Sequence, residues 1–192
     1  MKKSLGLAAI LGVATLLAVP VVGQAAEVQS GDTTTANVGL TQDPVNDAVK
    51  LTHAPNIDFG TQKIGISSFM LNPVNIDDDL VVENPGLGDG WRVNVSATPF
   101  EDGSKTLADA KFILKAGNVT PVEANSSAKP NSMEVTLLTS DQLIFVADKN
   151  AGIGAWKTTY ASDQVSLNIP AGHVAGHYTS TLTWTLANTP SE

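Results

Sequence analysis

The sequence predicts an all-β chain, a single antiparallel β-sandwich behind an N-terminal signal peptide. Three observations predict it: apolar residues recur at every second position in several short segments, clusters of Pro, Gly, Asn and Asp separate those segments, and no long helical pattern follows residue 26. The expected organisation is a signal over residues 1–26, a flexible leader over 27–33 and one domain over 34–190.

Lys2 and Lys3 precede an uncharged apolar run from Leu5 to Val22, which ends at Gly23-Gln24-Ala25-Ala26. This is the pattern of a secretory signal: a basic start, an apolar helix-forming stretch and small residues before the scissile bond. Gly12 and Pro20 interrupt the run, which barely reaches the ~20 residues that span a bilayer, so cleavage after Ala25 or Ala26 is expected rather than anchoring. No later segment is long and apolar enough to span, so no membrane span is expected after cleavage.

The signal contains two of the eleven basic residues and none of the nineteen acidic ones, so the mature chain has nine basic residues and a formal charge of −10. Nucleic-acid binding needs basic side chains that neutralise phosphates, and that balance argues against it. With no cysteine there is neither a disulfide framework nor a thiolate metal site, and packing alone must hold the domain.

The clearest strand is Trp91–Thr98, with Trp91, Val93, Val95 and Ala97 on one face. The alternation recurs at Val165, Leu167 and Ile169. It returns at Tyr178, Ser180, Leu182, Trp184 and Leu186, with Thr179, Thr181, Thr183 and Thr185 pointing to solvent. Shorter strands are expected at Thr33–Leu40, Val49–His53, Leu80–Glu83, Ala110–Lys115, Met133–Thr139 and Gln142–Ala147, the last as a central buried strand. The stretches Asn84–Gly90, Ala116–Asn118 and Ala151–Trp156 are expected as Gly-rich turns, and Asn118–Ser132 as a longer loop. Many short strands of this kind build two packed antiparallel sheets, an immunoglobulin-like (Ig-like) sandwich, or a barrel.

Chemistry is poorly provided for. No Gly-x-Ser-x-Gly elbow occurs, and cysteine catalysis is impossible. His173 and His177 flank a turn, an arrangement that is usually just a pair of loop histidines, and no metal site is assigned. Asp77-Asp78-Asp79, Glu83 and Asp89 single out no pair of carboxylates for glycan cleavage and lack the Ca²⁺-loop pattern. The chain is expected not to be an enzyme and to need no cofactor.

Two landmarks carry a resemblance. Trp91-Arg92-Val93, entered through Gly88-Asp89-Gly90, and Trp184-Thr185-Leu186 near the C-terminus resemble the paired signature motifs of WxL domains, with Val93 where Leu is usual. Ala54–Gly60, Leu80–Glu83 and Ile169–Gly172 fall in the order that family shows. The resemblance implies an exported protein of low-GC Gram-positive bacteria, held non-covalently at the wall surface. It implies peptidoglycan or another wall glycan as ligand, and co-encoded surface proteins, including larger WxL proteins, as partners in a multi-protein complex. The alternative is a structural subunit that binds partner proteins and reaches the wall only through them.

By strand phase Trp91, Val93, Trp184 and Leu186 lie on apolar faces, which favours the core, while stacking of either ring on a sugar stays open. Trp156, in a Gly-rich stretch, and Tyr160 after it are the expected exposed aromatics, available to a glycan or to a partner protein.

Overall fold

The structure is a computed structural model that describes residues 35–45 and 47–187; the signal over 1–26 and the leader over 27–33 lie outside the described residues. By contact the chain divides into residues 1–39 and residues 40–192. In the first unit the described residues, 35–39, are exposed and form no strand, so the strand expected over Thr33–Leu40 is not present there.

The second unit is almost entirely β. Its strands are β1 (Lys50–His53), β2 (Asn56–Asp58), β3 (Phe69–Leu71), β4 (Asn75–Asp77), β5 (Leu80–Asn84), β6 (Trp91–Ala97), β7 (Glu101–Asp102), β8 (Lys105–Thr106), β9 (Lys111–Leu114), β10 (Asn118–Pro121), β11 (Asn131–Ser132), β12 (Val135–Thr136), β13 (Gln142–Ala147), β14 (Gly154–Thr159), β15 (Val165–Ile169) and β16 (Leu182–Ala187). A 3₁₀ turn, Ser162–Gln164, precedes β15. All pairings between these strands are antiparallel.

The expected sandwich is present, but it is assembled from three four-stranded sheets instead of two. Their orders are β1-β5-β14-β10, β11-β13-β6-β16 and β12-β9-β15-β3, with β2-β4 and β7-β8 as small ribbons. The third sheet arises because the segment around residues 131–138 changes partners. The Met133 amide still bonds to Ile144 of β13, whereas Leu137 bonds to Phe112 of β9 and Leu138 accepts from Ala97 of β6. A strand that hands over between sheets turns a corner and closes the core on that side.

The core follows the alternation seen in the sequence. Trp91, Val93 and Val95 of β6 are wholly buried, as are Leu80 and Val82 of β5 and Leu114 and Val165 on facing strands. Gln142–Ala147 is an interior strand, as expected, and a register shift between Leu143 and Phe145 lets the consecutive residues Ile144 and Phe145 both turn inward. Two expectations fail. Asn118–Ser132 is not one loop, because Asn118–Pro121 pairs with β14. The last strand begins at Leu182, not Tyr178, because upstream Thr179 bridges to Glu101 and the Thr181 amide is held by the Thr98 hydroxyl.

Candidate functional site

The two signature motifs, some ninety positions apart in sequence, lie on adjacent strands. Trp184 of β16 stands opposite Val95 of β6, and Leu186 opposite Val93. All four side chains therefore belong to one face of one sheet.

Their surroundings differ. The Trp91 ring is fully buried, sits edge-on to Phe145 with centroids 4.8 Å apart at 73°, and donates its indole N–H to the Gly152 carbonyl at 3.0 Å. Val93 is also fully buried. Trp184 and Leu186, on the outermost strand of the sheet, are only half-buried. Glycine permits two close approaches here: a Cβ on Gly90 would stand 2.6 Å from the Ala147 carbonyl oxygen, and one on Gly152 would stand 2.8 Å from the Trp91 indole nitrogen.

Trp156 and Tyr160 are not exposed, which corrects the sequence expectation. Trp156 is 3% exposed and Tyr160 5%. The Gly-rich stretch is the entry to an interior strand, β14, which pairs with both β5 and β10, and Trp156 takes its inward phase with Thr158. The Trp156 indole donates to the Ile153 carbonyl at 2.9 Å, so its polar handle is satisfied within the domain.

Burial raises the Tyr160 phenol well above its ordinary value of about 10, only partly countered by the neighbouring Ser132 hydroxyl. A proton held more tightly by the folded state gives stability that is full below the unfolded pKa and is lost as the pH climbs past it. Wild-type stability should therefore fall as the pH rises above about 10, and Tyr160→Phe should flatten that fall while changing stability at neutral pH by less than about 1 kcal/mol. Urea titrations at neutral and alkaline pH measure both effects; an unchanged alkaline slope in the variant would refute the assignment.

The acidic run is committed to local structure. Asp77 accepts from the Asn56 amide at 3.0 Å, Asp78 pairs with His53 Nδ1 at 2.9 Å, and Asp79 pairs with Lys157 at 2.8 Å. The His53 hydrogen bond, followed by that from the Asp79 amide, lowers the Asp78 pKa. Among the described residues no group of three or more His, Asp or Glu side chains is placed to hold a metal ion.

Sequence reasoning missed a cavity of about 910 Å³. It opens beside β3, and the connection from β15 to β16, with His173 and His177, lines another part of its wall. At its wall Phe59 meets Phe100 and Phe112 edge-to-face, with centroids 6.4 and 5.3 Å apart, and Phe100 and Phe112 lie tilted to each other at 5.7 Å. The Nε2 of His173 is buried without a hydrogen-bond partner. Around the mouth, Ile64 and Val174 are about half-exposed. The segments Ala54–Gly60 and Ile169–Gly172 supply part of this wall, but their sequence gives no sign of it because the lining residues are spread over more than a hundred positions.

Among the described residues no helix is long and apolar enough to cross a membrane. No curated protein and no solved structure matches the chain. A family model does: that of the WxL domain, a surface, cell-wall-binding domain, over residues 27–190. With its two Trp-centred motifs brought side by side on one sheet, the chain belongs to the WxL family of cell-surface, cell-wall-binding domains.

Proposed function

We propose that this chain is an exported, non-enzymatic attachment module that binds peptidoglycan non-covalently at the surface of a Gram-positive bacterium and works within a multi-protein surface complex. Membership of a wall-binding family supports the general reading. One observation carries the finer one: Trp184 is the sole tryptophan that is only half-buried, and it lies on an outermost strand. The other face of that strand presents the exposed hydroxyls of Thr183 and Thr185, paired with Ser96 and Asn94 of β6. A sugar chain laid along β16 would meet an aromatic surface on one side of the strand and hydrogen-bonding groups on the other. Trp91, fully buried, supports the sheet and does not touch ligand in this reading.

Co-sedimentation of the mature chain with protein-free peptidoglycan tests the proposal. Trp184→Ala should stay folded, losing under about 2 kcal/mol because the ring is only half-buried, yet bind about tenfold more weakly. Undiminished binding by the folded variant would remove Trp184 from the site. No binding by wild type would sink direct attachment and favour the second reading, a subunit carried to the wall by a partner protein. The cavity beside β3, with its cluster of three phenylalanines, is the feature that supports that second reading.

A further inference from the structure

We infer that the cavity beside β3 is an acceptor groove for the segment Thr35–Thr41 of a second copy of this chain, so that the protein associates head to tail. The acceptor is defined by its edge and its wall. β3 is the terminal strand of its sheet, hydrogen-bonded to β15 on one side, and its Phe69-Met70-Leu71 sequence carries no charge to discourage pairing. Other sheet edges lie beside another sheet: β1 beside β16, β10 beside β11 and β12 beside β13. Phe69 and Leu71, half-buried, face a cavity whose wall also includes Phe59, Phe100, Leu107 and Leu182. A cavity with this apolar wall along an unpaired strand fits an incoming strand, with its backbone on the edge and alternate side chains against the wall.

The donor is the part of the same chain where strand patterning has no strand. In Thr35-Ala36-Asn37-Val38-Gly39-Leu40-Thr41, apolar residues occupy every second position, the pattern of a strand with one buried face. Yet Val38 is 85% exposed and Leu40 92% exposed, with no strand formed. Ala36, Val38 and Leu40 together span about 13 Å when extended, a reach that matches a short edge strand. Each copy thus presents one unmatched donor and one unmatched acceptor, and a second copy satisfies both. The contact uses different surfaces on the two copies, so it propagates into open chains unless a ring closes.

The absence of cysteine from the chain allows a clean test on the mature protein, residues 27–192. One population carries Asn37→Cys and a second carries Ala171→Cys, an exposed position on the cavity wall. The two are mixed with a short bismaleimide linker, and a third population carrying Thr185→Cys, on the exposed face of β16, serves as control. Expected are a linked heterodimer with Ala171→Cys at least about tenfold more abundant than with Thr185→Cys, and its loss when the donor also carries Val38→Asp and Leu40→Asp. Light scattering should show concentration-dependent association of wild type that the same double substitution abolishes. A wild-type chain that stays monomeric at high concentration, or linking no greater at Ala171→Cys than at the control, would overturn the inference. Neither readout involves the wall, so its failure is distinct from failure of peptidoglycan binding.

Discussion

Trp91→Ala should destabilise the domain by about 3–5 kcal/mol, the usual cost of removing a fully buried large aromatic side chain from a packed core. The ring contributes in three ways. It fills the space beside Gly152, it packs at a steep angle against Phe145, and its indole N–H satisfies the Gly152 carbonyl. Deletion leaves a void and a carbonyl without its donor. Since a domain of this size holds about 5–15 kcal/mol in total, the variant should be marginal at growth temperature. Trp91→Phe retains most of the packing and loses the hydrogen bond, so it should cost about 1–2 kcal/mol and still bind wall wherever it is folded. Urea unfolding measures the first quantity, and co-sedimentation at a temperature where both variants are native measures the second. A loss under about 1 kcal/mol in Trp91→Ala would show that the space repacks.

The contrast between Trp91 and Trp184 was half legible in the sequence. Period-two alternation placed both rings on the apolar phase of a strand, and that phase is what the structure shows. Phase alone does not separate an interior strand from an outermost one. Trp91 is sealed because β6 lies between β13 and β16, whereas Trp184 lies on β16 with no strand beyond it in the sheet. The strands at Leu80, Trp91, Gln142 and Val165 were legible for the same reason: their buried positions are almost all apolar.

β14 was misread for the converse reason. Its inward positions are Trp156 and Thr158, its entry is glycine-rich, and a buried threonine breaks the apolar alternation that would have revealed it. The cavity was invisible because it is made by sheet closure, which brings residues 57–71 against residues 167–182, and no local pattern encodes that encounter. Residues 35–41 show the reverse case, a strand pattern that the chain leaves without a partner.

Gly152→Ala tests how strictly the signature motif depends on a loop some sixty residues away. Gly152 has a φ of +62°, and a Cβ there would lie 2.5 Å from the Ala147 Cβ and 2.8 Å from the Trp91 indole nitrogen. An L residue pays about 1–2 kcal/mol for that backbone conformation, and overpacking a rigid core adds about 1–3 kcal/mol, so the expected loss is about 2–5 kcal/mol. The backbone cannot relax freely, because the Gly152 amide donates to the Ala128 carbonyl while its own carbonyl accepts from Trp91. Strain should therefore pass into the Trp91 ring, and near-ultraviolet circular dichroism should change even where the variant is folded. Combining Gly152→Ala with Trp91→Phe removes the indole nitrogen from the clash, while the contact with Ala147 remains. The double variant should accordingly be more stable than the sum of the single losses predicts, by about 0.5–3 kcal/mol. Strict additivity would mean that the clash with Ala147 dominates, and that the loop and the signature tryptophan are packed together without being energetically coupled.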